Sequence, residues 1–547
     1  MSVLAQQQGL PIPEIAWSAF APELVVAGTA LVLMLFAVAG SRRLLAAVPT
    51  GLLVGGVGVW LVLQGVTLPG GVAIALGAAA IALPVGFGRD PRLIGPWAAG
   101  LALVAALALT LWQYTELMAV GGAGPQVSEH LAGSVAVDGI ALFTRLTVYM
   151  SALLTIPIGY GYLVERGIDR EEFEPLLLLS VSGMALLGAA NDLITLFVAL
   201  EILSIALYVL AGFARRDRRS QEAGIKYFLN GAVASAILLY GLALLYVATG
   251  TLELDAVGTA LGLVTTPSAV GVLGLGLVTV GIGFKVAFAP FQLWVTDVYQ
   301  GSPTNVTGFM AAATKAAAFA AVLRLYLVGF GRLEDLWVPI LAVIAAITMM
   351  YGALGAIVQR DVKRILAYSS IAHAGYAAIG VVAASRAGVS GTLWYLVTYA
   401  VTTLAAFGVV VAIERQRRGE VSLVDLRGLG RTSPVLAGIF ALALLSLAGI
   451  PPTAGFAGKL TVFQAGVASD LSWLVVIGVV SSVIAAFFYL RLIATMFLDD
   501  PDEHSEVPII TTGLSAGVSI AAALVIYLGI QPDVLLDLAV RVAAIAR

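Results

Sequence analysis

The chain has 547 residues, of which 60% are apolar and only 11% charged, with a formal net charge of −3. This composition is far from that of a soluble globular domain and is typical of a protein whose solvent is lipid. Cysteine is absent and only three histidines occur, which argues against an iron–sulfur cluster or structural zinc site built by this chain. No glycine-rich nucleotide loop follows a strand pattern, so redox chemistry is expected in a partner, and no nucleic-acid partner is expected.

Apolar stretches of about 20 residues, the length needed to cross roughly 30 Å of hydrocarbon, recur along the whole chain. They predict an all-α polytopic membrane protein with sixteen transmembrane spans, at 22–40, 44–66, 70–88, 93–114, 139–163, 174–189, 191–213, 222–249, 268–301, 304–329, 335–357, 362–385, 390–415, 431–468, 472–497 and 510–530. The N-terminal region has no basic segment and no small-residue cleavage site, which argues against a removable signal peptide.

The positions of arginine and lysine support this assignment, because cytoplasmic loops of membrane proteins are enriched in both residues. Loops and span edges on one side carry eighteen basic residues, whereas the opposite side carries four. The two longest loops of the poor side, 115–138 and 250–267, contain no Lys or Arg. We therefore expect both termini on the extracytoplasmic side of the membrane.

Two of the predicted spans, 268–301 and 431–468, are too long for one straight helix. Pro290 lies inside the first, and Pro451 and Pro452 lie inside the second. Proline removes a backbone donor and clashes with the preceding turn, so each helix is expected to break there. A packing kink with a snorkelling lysine is the alternative, but paired interruptions in two halves of a membrane protein are typical of internal repeats that line a transport path.

The positions of the two interruptions within groups of five spans suggest a division of the chain into four parts. We predict N-terminal spans over 1–173, a five-span repeat over 174–329, a second five-span repeat over 335–497, and a C-terminal helix and tail over 498–547. The interrupted segment is the fourth span of each repeat. An odd number of spans per repeat makes the two repeats inverted relative to one another.

Only five lysines occur in the chain, and four of them lie in apolar stretches: Lys226, Lys285, Lys315 and Lys459. The fifth, Lys363, lies at an ordinary loop edge. A lysine within hydrocarbon costs roughly 2.5 kcal/mol or several times more, so four such residues, with Glu201 in the middle of a span, indicate a charge pathway.

Buried lysines can release and accept protons under physiological conditions, so Lys285, Lys315 and Lys459 are candidates for successive protonation sites bridged by water. A contact between Glu201 and Lys226 across a short hairpin is plausible, although their relative depth is open. A carboxylate that moves towards or away from a lysine changes the proton affinity of that lysine. This arrangement could pump protons with neither a metal nor a nucleophile.

Other polar residues carry weaker predictions. His373 could extend a proton wire with Ser369, Ser370 and Tyr376, although a lone helix histidine is commonly just hydrogen-bonded. We assign Asp297 a structural role near the cytoplasmic surface. We expect three arginines to extend their side chains to the membrane interface: Arg145, Arg324 and Arg491.

Five segments carry a family resemblance: FVALEILSIALYVL, EAGIKYFLNGAVASAILLYG, GFKVAFAPFQLWVTDVYQGSP, AYSSIAHAGY and LSLAGIPPTAGFAGK. In this order they resemble the antiporter-like membrane subunits of bacterial proton-pumping NADH:quinone oxidoreductase, respiratory complex I, over about residues 138–497. Lysine at both 315 and 459 is more similar to the subunit N group, because subunit M typically has glutamate at the position of Lys459, and L and M usually have histidine near that of Lys315.

The resemblance implies that Glu201 and Lys226 form the charge pair of a first half-channel. It further implies that Lys285 modulates or receives protons, that Lys315 is the central relay, and that Lys459 serves the exit half-channel. The family core usually has fourteen spans, so the resemblance implies an additional pair among 44–114.

The resemblance also implies partners and cofactors. The chain would be a non-redox subunit of the enzyme that contacts the lipid bilayer and other complex I subunits, such as M and K. It would bind no cofactor itself, while FMN, iron–sulfur clusters and quinone would lie in partner subunits. The sequence does not identify the quinone, although the excess of arginine over lysine, 24 to 5, indicates a GC-rich bacterial genome, for which menaquinone is one expectation.

Two other functions remain open at this stage. One is a subunit of an Mrp-type sodium/proton antiporter, which shares the same ancestry but has no redox coupling. The other is a membrane scaffold that has lost transport. The retained buried charges argue against the scaffold.

Overall fold

The computed structural model describes residues 17–39, 91–119, 126–127, 133–263, 268–417, 421–501, 508 and 510–543, together with scattered positions between 51 and 78. Apart from those scattered positions, the predicted spans 44–66 and 70–88 lie outside the described residues. The additional pair expected among 44–114 therefore stays a prediction.

The described chain is almost entirely helical. In chain order the helices are α1 Ala21–Ala39, α2 Ile94–Ala119, α3 Gly139–Glu165, α4 Phe173–Ala189, α5 Leu193–Ala211, α6 Arg218–Thr249, α7 Leu254–Gly262, α8 Ala269–Val286, α9 Leu293–Gly301, α10 Thr304–Gly329, α11 Glu334–Ile357, α12 Val362–Val382, α13 Arg386–Arg417, α14 Leu429–Thr432, α15 Pro434–Ala448, α16 Ala454–Ala468, α17 Ser472–Phe497, α18 Thr512–Ile530 and α19 Asp533–Ala543. Short 3₁₀ turns lie at Trp17–Phe20, Pro91–Leu93, Gly331–Leu333 and Leu423–Leu426, and the strands β1 Gln126–Val127 and β2 Ala136–Val137 pair antiparallel.

Within the described residues, twelve helices are long and apolar enough to cross a membrane. The predicted all-α polytopic membrane class is therefore confirmed. The helices α4 and α15 are also apolar but shorter, at 17 and 15 residues.

Both predicted helix interruptions are present. The first separates α8 from α9, and the second separates α15 from α16. Each begins with a left-handed residue, Ala287 at φ 70° and Gly449 at φ 83°, and the next N–H donates back to the carbonyl of the residue five positions earlier. This hydrogen-bonding pattern is the Schellman motif, a common way to end a helix, and the prolines that follow prevent the helix from continuing. The two breaks are thus built by the same local chemistry.

The helices that carry the central polar residues are the most buried. The apolar 18-residue stretches of α10 and α13 are 100% buried inside the protein, and that of α12 is 94% buried. The corresponding stretch of α6 is only 33% buried. A helix that is apolar on all sides is stable when other helices surround it, and a helix that is half covered leaves an apolar face for lipid. The arrangement places α10, α12 and α13 in the middle of the molecule.

Two of the three arginines expected to extend to the membrane interface, Arg145 and Arg324, are instead buried inside the protein. Arg145 is fully buried and donates to Glu23 at 2.6 Å, to Gln113 at 2.7 Å and to the Ala19 carbonyl at 3.1 Å, which ties α3 to α1 and α2. Arg324 is also buried and donates to Asp138 at 2.7 Å. The prediction was wrong because the acidic partners are distant in sequence, and a buried guanidinium is stable where its charge and donors are satisfied.

Arg491 is half-buried and extends to the end of a neighbouring helix. Its guanidinium donates to the carbonyls of Ile357 and Gln359, at 2.9 and 2.8 Å, at the carboxyl end of α11. The last carbonyls of a helix have no partner within the helix and carry the negative end of its dipole, so they attract a cation. Arg491 therefore caps α11.

The buried pair of Arg145 and Glu23 leads to a stability prediction. Glu23→Ala should lower the free energy of unfolding by about 3–5 kcal/mol, because it leaves a buried guanidinium without its counter-charge. The matched control is Arg431→Ala, which breaks the solvent-exposed pair with Asp500 and should cost only about 0–1 kcal/mol. The measurement is the thermal midpoint of the detergent-solubilised protein, and equal midpoints for the two variants would contradict the structural role of the buried pair.

Candidate functional site

Four lysines are buried, of which Lys363 lies at the start of α12 and the other three lie further inside the helical bundle. Lys285 on α8, Lys315 on α10 and Lys459 on α16 are each only 4–5% exposed. The hydrogen-bond acceptors of all three ammonium groups are neutral oxygen atoms of hydroxyls and carbonyls. Because a buried charge is costly unless it is paired, three ammonium groups without a bonded carboxylate are unusual in a protein interior.

Lys226 differs from these three. Its side chain is 41% exposed, and its ammonium group lies 2.6 Å from Glu222 and 2.8 Å from Asp297. The expected contact between Lys226 and Glu201 is not formed, and the position of Lys226 along its helix explains why. Lys226 lies in the third turn of α6, near the helix start, where it meets the Asp297 carboxylate of α9 instead of the middle of α5.

Asp297 joins two cations at this end of the molecule. One carboxylate oxygen accepts from Lys226 at 2.8 Å, and the other accepts from Arg364 at 2.8 Å. The Arg364 guanidinium also donates to Gln300 at 3.0 Å. Asp297 therefore links α6, α9 and α12, and sequence reasoning underestimated it because the interruption of the preceding helix decides which way α9 points.

Glu201 accepts a short hydrogen bond of 2.5 Å from Ser235 on α6. Its charge also acts on Lys285, so the two groups are close enough for electrostatic coupling although they share no hydrogen bond. Glu201 is thus bonded to a hydroxyl of α6, whereas Lys226 is bonded to Glu222 and Asp297.

The Lys285 ammonium group is held by hydroxyls and aromatic rings. It donates to Ser204 at 2.7 Å and to Tyr227 at 3.2 Å. It also lies over the rings of Tyr208 and Tyr227, at 5.6 and 5.1 Å from their centroids, where the negative face of an aromatic ring attracts a cation. The lysine lies in the last turn of α8, immediately before the first helix break.

Lys315 occupies the centre of the bundle. Its ammonium group donates to the carbonyl of Ser370 at 2.5 Å and lies 5.8 Å from the ring centroid of Tyr399. The helix winds as a π-helix over Met310–Thr314, immediately before this lysine. Short π segments inside α-helices are frequent at functional sites, and no sequence pattern predicted this one.

Lys459 lies beyond the second helix break but reaches back to it. Its ammonium group donates to the carbonyls of Leu447 and Ala448, both at 2.9 Å, and to Ser482 at 2.8 Å. The two carbonyls belong to the last turn of α15, where the break has removed their helical partners. The ring of Tyr376 lies 4.7 Å from the ammonium nitrogen. The free carboxyl end of a helix thus replaces a carboxylate as the counter-charge.

His373 connects α12 to two other helices. Its Nδ1 atom lies 2.5 Å from the Tyr395 hydroxyl, and its Nε2 atom lies 3.3 Å from the Tyr489 hydroxyl. Tyr489 in turn lies 2.5 Å from Ser369. The imidazole also packs against the rings of Tyr376 and Tyr399, which in turn lie near the ammonium groups of Lys459 and Lys315.

The structure brings together only part of the predicted wire of His373, Ser369, Ser370 and Tyr376. Ser369 reaches His373 through Tyr489, whereas Ser370 contributes its carbonyl to Lys315. The Tyr376 hydroxyl lies 3.0 Å from Ser481, and its ring faces Lys459. Sequence reasoning missed three aromatic residues, Tyr395, Tyr399 and Tyr489, because nothing in an apolar span distinguishes a tyrosine that contacts a histidine or lysine from one that only packs.

The prediction for Lys363 is also corrected. This lysine is buried, not at an ordinary loop edge, and its ammonium group donates to the carbonyl of Ser302 at 2.7 Å. In the part of the chain that the structure describes, no group of three or more His, Asp or Glu side chains is arranged to hold a metal ion.

Residues 190–485 match the family model described as NADH:quinone oxidoreductase/Mrp antiporter, TM. A protein named NADH-quinone oxidoreductase subunit N from Parafrankia sp. (strain EAN1pec) is 46% identical over 439 residues, which cover 75% of this chain and 83% of the relative. A chain of respiratory complex I from Thermus thermophilus with bound aureothin is 37% identical at a TM-score of 0.68, covering 84% of this chain and 97% of that one. The structure of the Mrp complex from Dietzia sp. DQ12-45-1b includes a chain with a TM-score of 0.72 at 23% identity, covering 86% and 97% of the two chains, which shows a shared fold.

Asp297 pairs with two cations, whereas Glu222 pairs with one. Loss of the Asp297 charge should therefore cost more stability than loss of the Glu222 charge. Asp297→Asn should lower the free energy of unfolding by about 1 kcal/mol, because it removes the counter-charge of both Lys226 and Arg364 at a partly exposed site. Glu222→Gln removes only a contact within one helix and should cost a few tenths of a kcal/mol, about 0.3. Thermal midpoints of the two purified variants test this difference. An equal or larger loss of stability for Glu222→Gln would contradict the role of Asp297 as the shared partner of two cations.

Proposed function

The chain belongs to the NADH-quinone oxidoreductase subunit N family, and on that premise we propose that it carries protons across the membrane along Lys285, Lys315, His373 and Lys459. The observation that supports this most directly is the set of three buried ammonium groups held by neutral oxygen atoms. The buried arginines Arg145 and Arg324, which tie helices together, have carboxylate partners instead.

Neutral partners suit a proton carrier because they serve both protonation states. A hydroxyl or carbonyl accepts from an ammonium group, and a hydroxyl can also donate to the amine that remains after the proton leaves. A carboxylate bonded directly to the lysine would hold the proton in place. Glu201, which acts on Lys285 without a hydrogen bond to it, is therefore suited to modulate that lysine.

The first half-channel is proposed to use Glu201, Lys226 and Asp297, with Asp297 as the direct partner of Lys226. Lys285 receives or modulates protons in this half, and Lys315 is the relay between the halves. Lys459 serves the exit half, and His373 with Tyr395 and Tyr489 bridges the interval between Lys315 and Lys459. The two halves are proposed to correspond to inverted five-helix repeats over 174–329 and 335–497, within a core of fourteen spans that an additional N-terminal pair extends to sixteen.

The chain is proposed to work as a non-redox subunit of the translocating enzyme. NADH oxidation and quinone reduction, with FMN and iron–sulfur clusters, take place in partner subunits, and the proposed neighbours in the membrane are subunits such as M and K. The excess of basic residues on one side supports an orientation in a bacterial plasma membrane with both termini outside the cytoplasm.

The Mrp-type antiporter is the alternative function, and the fold alone is compatible with it. The relation to proteins named subunit N is much closer in sequence than the relation to the solved Mrp complex, at 46% against 23% identity. Sodium dependence separates the two functions. Proton uptake driven by NADH should proceed equally with and without sodium ions, whereas a requirement for sodium would support the alternative.

The central prediction concerns Lys315→Met and Lys459→Met in the assembled complex. Both variants should reduce NADH-driven proton uptake into inverted membrane vesicles at least tenfold. This reduction corresponds to an increase of about 1.4 kcal/mol or more in the free-energy barrier of proton transfer. Their thermal midpoints should stay equal or rise, because replacing a buried unpaired charge by an apolar side chain of similar length is commonly neutral or stabilising.

Arg386→Gln is the matched control, because it removes an exposed cation at the start of α13. It should leave proton uptake unchanged. Electron transfer from NADH to an artificial acceptor should persist in all three variants, since it takes place in other subunits. Normal proton uptake in both lysine variants would contradict the proposed function and favour a scaffold.

A further inference from the structure

A cavity of about 490 Å³ lies among helix ends on the side of the molecule that is rich in arginine. Two of its lining residues are acidic, Asp217 and Glu414, and five are cationic: Arg166, Arg216, Arg218, Arg219 and Lys363. Its volume is within the range of cavities that hold small molecules or parts of larger ones. Among the described residues, none that belongs to the proposed proton path lines the cavity, so the two are separate.

Both acidic side chains of the cavity are already bonded within the protein. Glu414 is buried and accepts hydrogen bonds from Tyr162 at 3.0 Å and from Arg166 at 2.9 Å. Asp217 accepts from the backbone N–H of Arg219 at 2.9 Å and so caps the start of α6. The carboxylates therefore hold the walls of the cavity together, and they do not neutralise all of its cations.

Three of the cations have no carboxylate partner. Arg216 and Arg218 are exposed and form no ion pair within the described part of the chain. Lys363 is buried, and its ammonium group donates to a neutral atom, the carbonyl oxygen of Ser302. The amino ends of α6, α10 and α12 and the carboxyl ends of α3, α9 and α13 surround the cavity, so helix dipoles of both signs meet there. The side chains therefore give the cavity its positive charge.

Two buried donors on residues that line the cavity have no acceptor in the described protein. They are the Nε–H of Arg166 and the hydroxyl of Ser302, a residue that is only 1% exposed. An arginine nitrogen can only donate, and buried donors are nearly always hydrogen-bonded. A ligand that brings acceptor oxygen atoms would satisfy both donors. If that ligand is an anion, it would also balance the positive charge of the cavity.

An exposed apolar surface begins on α6 next to the cavity. Arg218, Ile225 and Leu229 follow the spacing i, i+7 and i+11, so they lie on one face of this helix. Ile225 and Leu229 are 58% and 57% exposed, and the adjacent Phe228 is 52% exposed. Glu222 lies on the same face and is paired with a lysine of its own helix. A cationic rim followed by an uncovered apolar face suits a molecule with an anionic head and an apolar tail.

We propose that this cavity binds the phosphate headgroup of an anionic phospholipid, whose acyl chains lie along the exposed apolar face of α6. Basic pockets between transmembrane helices on the cytoplasmic side are typical sites for anionic headgroups, and the arginine-rich side is the one expected to face the cytoplasm. Arg216 and Arg218 donate to phosphate oxygen atoms at the rim, while Arg166 and Ser302 donate from the inner wall. The site uses none of the buried lysines of the proton path, so it is independent of the proposed function.

Photoreactive lipids test this site in the assembled complex. The complex is reconstituted into phosphatidylcholine nanodiscs that contain a small fraction of a probe lipid, either phosphatidylglycerol or phosphatidylcholine, with a diazirine in one acyl chain. After irradiation, mass spectrometry of the chain locates the labelled residues. The phosphatidylglycerol probe should label residues 222–233 at least about fivefold more than the phosphatidylcholine probe, because the cationic rim repels the choline ammonium group and attracts a net negative headgroup.

The test variant combines Arg216→Gln with Arg218→Gln and should reduce labelling by the phosphatidylglycerol probe at least about fivefold. The matched control combines Arg427→Gln with Arg431→Gln, which removes two cations outside the cavity on the same arginine-rich side. The control should leave labelling unchanged, although it alters the net charge equally. Ser302→Ala removes a hydroxyl that has no protein partner, so it should weaken labelling about threefold without lowering the thermal midpoint. If the test variant fails to assemble, Ser302→Ala carries the comparison alone.

A free phosphate ion is the other source of the same chemistry, and competition separates the two. An excess of unlabelled phosphatidylglycerol should suppress labelling by the probe, whereas inorganic phosphate, compared with sodium chloride at the same ionic strength, should not. Displacement by inorganic phosphate would overturn the lipid in favour of a phosphate ion. Equal labelling by the two probes would overturn the site itself, and so would equal losses in the test variant and its control.

Discussion

An ammonium group buried in a membrane protein without a bonded carboxylate must be held by neutral oxygen atoms, and this requirement shapes the middle of the molecule. Lys459 is held by the carbonyls of Leu447 and Ala448, which are available only because the helix stops at Gly449. A continuous helix would use those carbonyls internally and leave the cation in apolar surroundings. The break is therefore a condition for the buried charge, and the prolines that enforce the break are as important to the site as the lysine.

The buried arginines and the buried lysines have different kinds of partner. Arg145 and Arg324 lie against carboxylates at 2.6 and 2.7 Å, and each pair fixes helices whose positions need not change. Lys285, Lys315 and Lys459 have hydroxyls, carbonyls and aromatic faces as partners. A paired charge is held firmly because separating it exposes both members, whereas hydroxyl and carbonyl partners tolerate either protonation state. The contrast within one chain is a physical reason to assign transport to the second group.

The sequence was sufficient for features that depend on local chemistry. Pro290, Pro451 and Pro452 predicted both interruptions, and lysines in apolar stretches predicted the three buried ammonium groups. It was insufficient where partners come from distant helices, because an apolar span does not reveal which of its faces meets which neighbour. Lys226 therefore pairs with Asp297 and not with Glu201, and Arg145 pairs with Glu23 instead of extending to the membrane interface. Tyr395 and Tyr489, which contact His373, had no distinguishing signal for the same reason.

The two interrupted helices present their lysines from opposite chain directions. Lys285 lies in the last turn before its break, whereas Lys459 lies five residues into the helix after its break and extends back to it. Both lysines nevertheless lie beside the carboxyl end of the first half-helix, Lys285 through its backbone position and Lys459 through its ammonium group, which donates to the last carbonyls of α15. What the two breaks share is thus a lysine beside a helix end, although its place in the sequence differs. A long flexible side chain makes this possible, because a lysine can reach the same helix end from either side of a break while its backbone follows a different course.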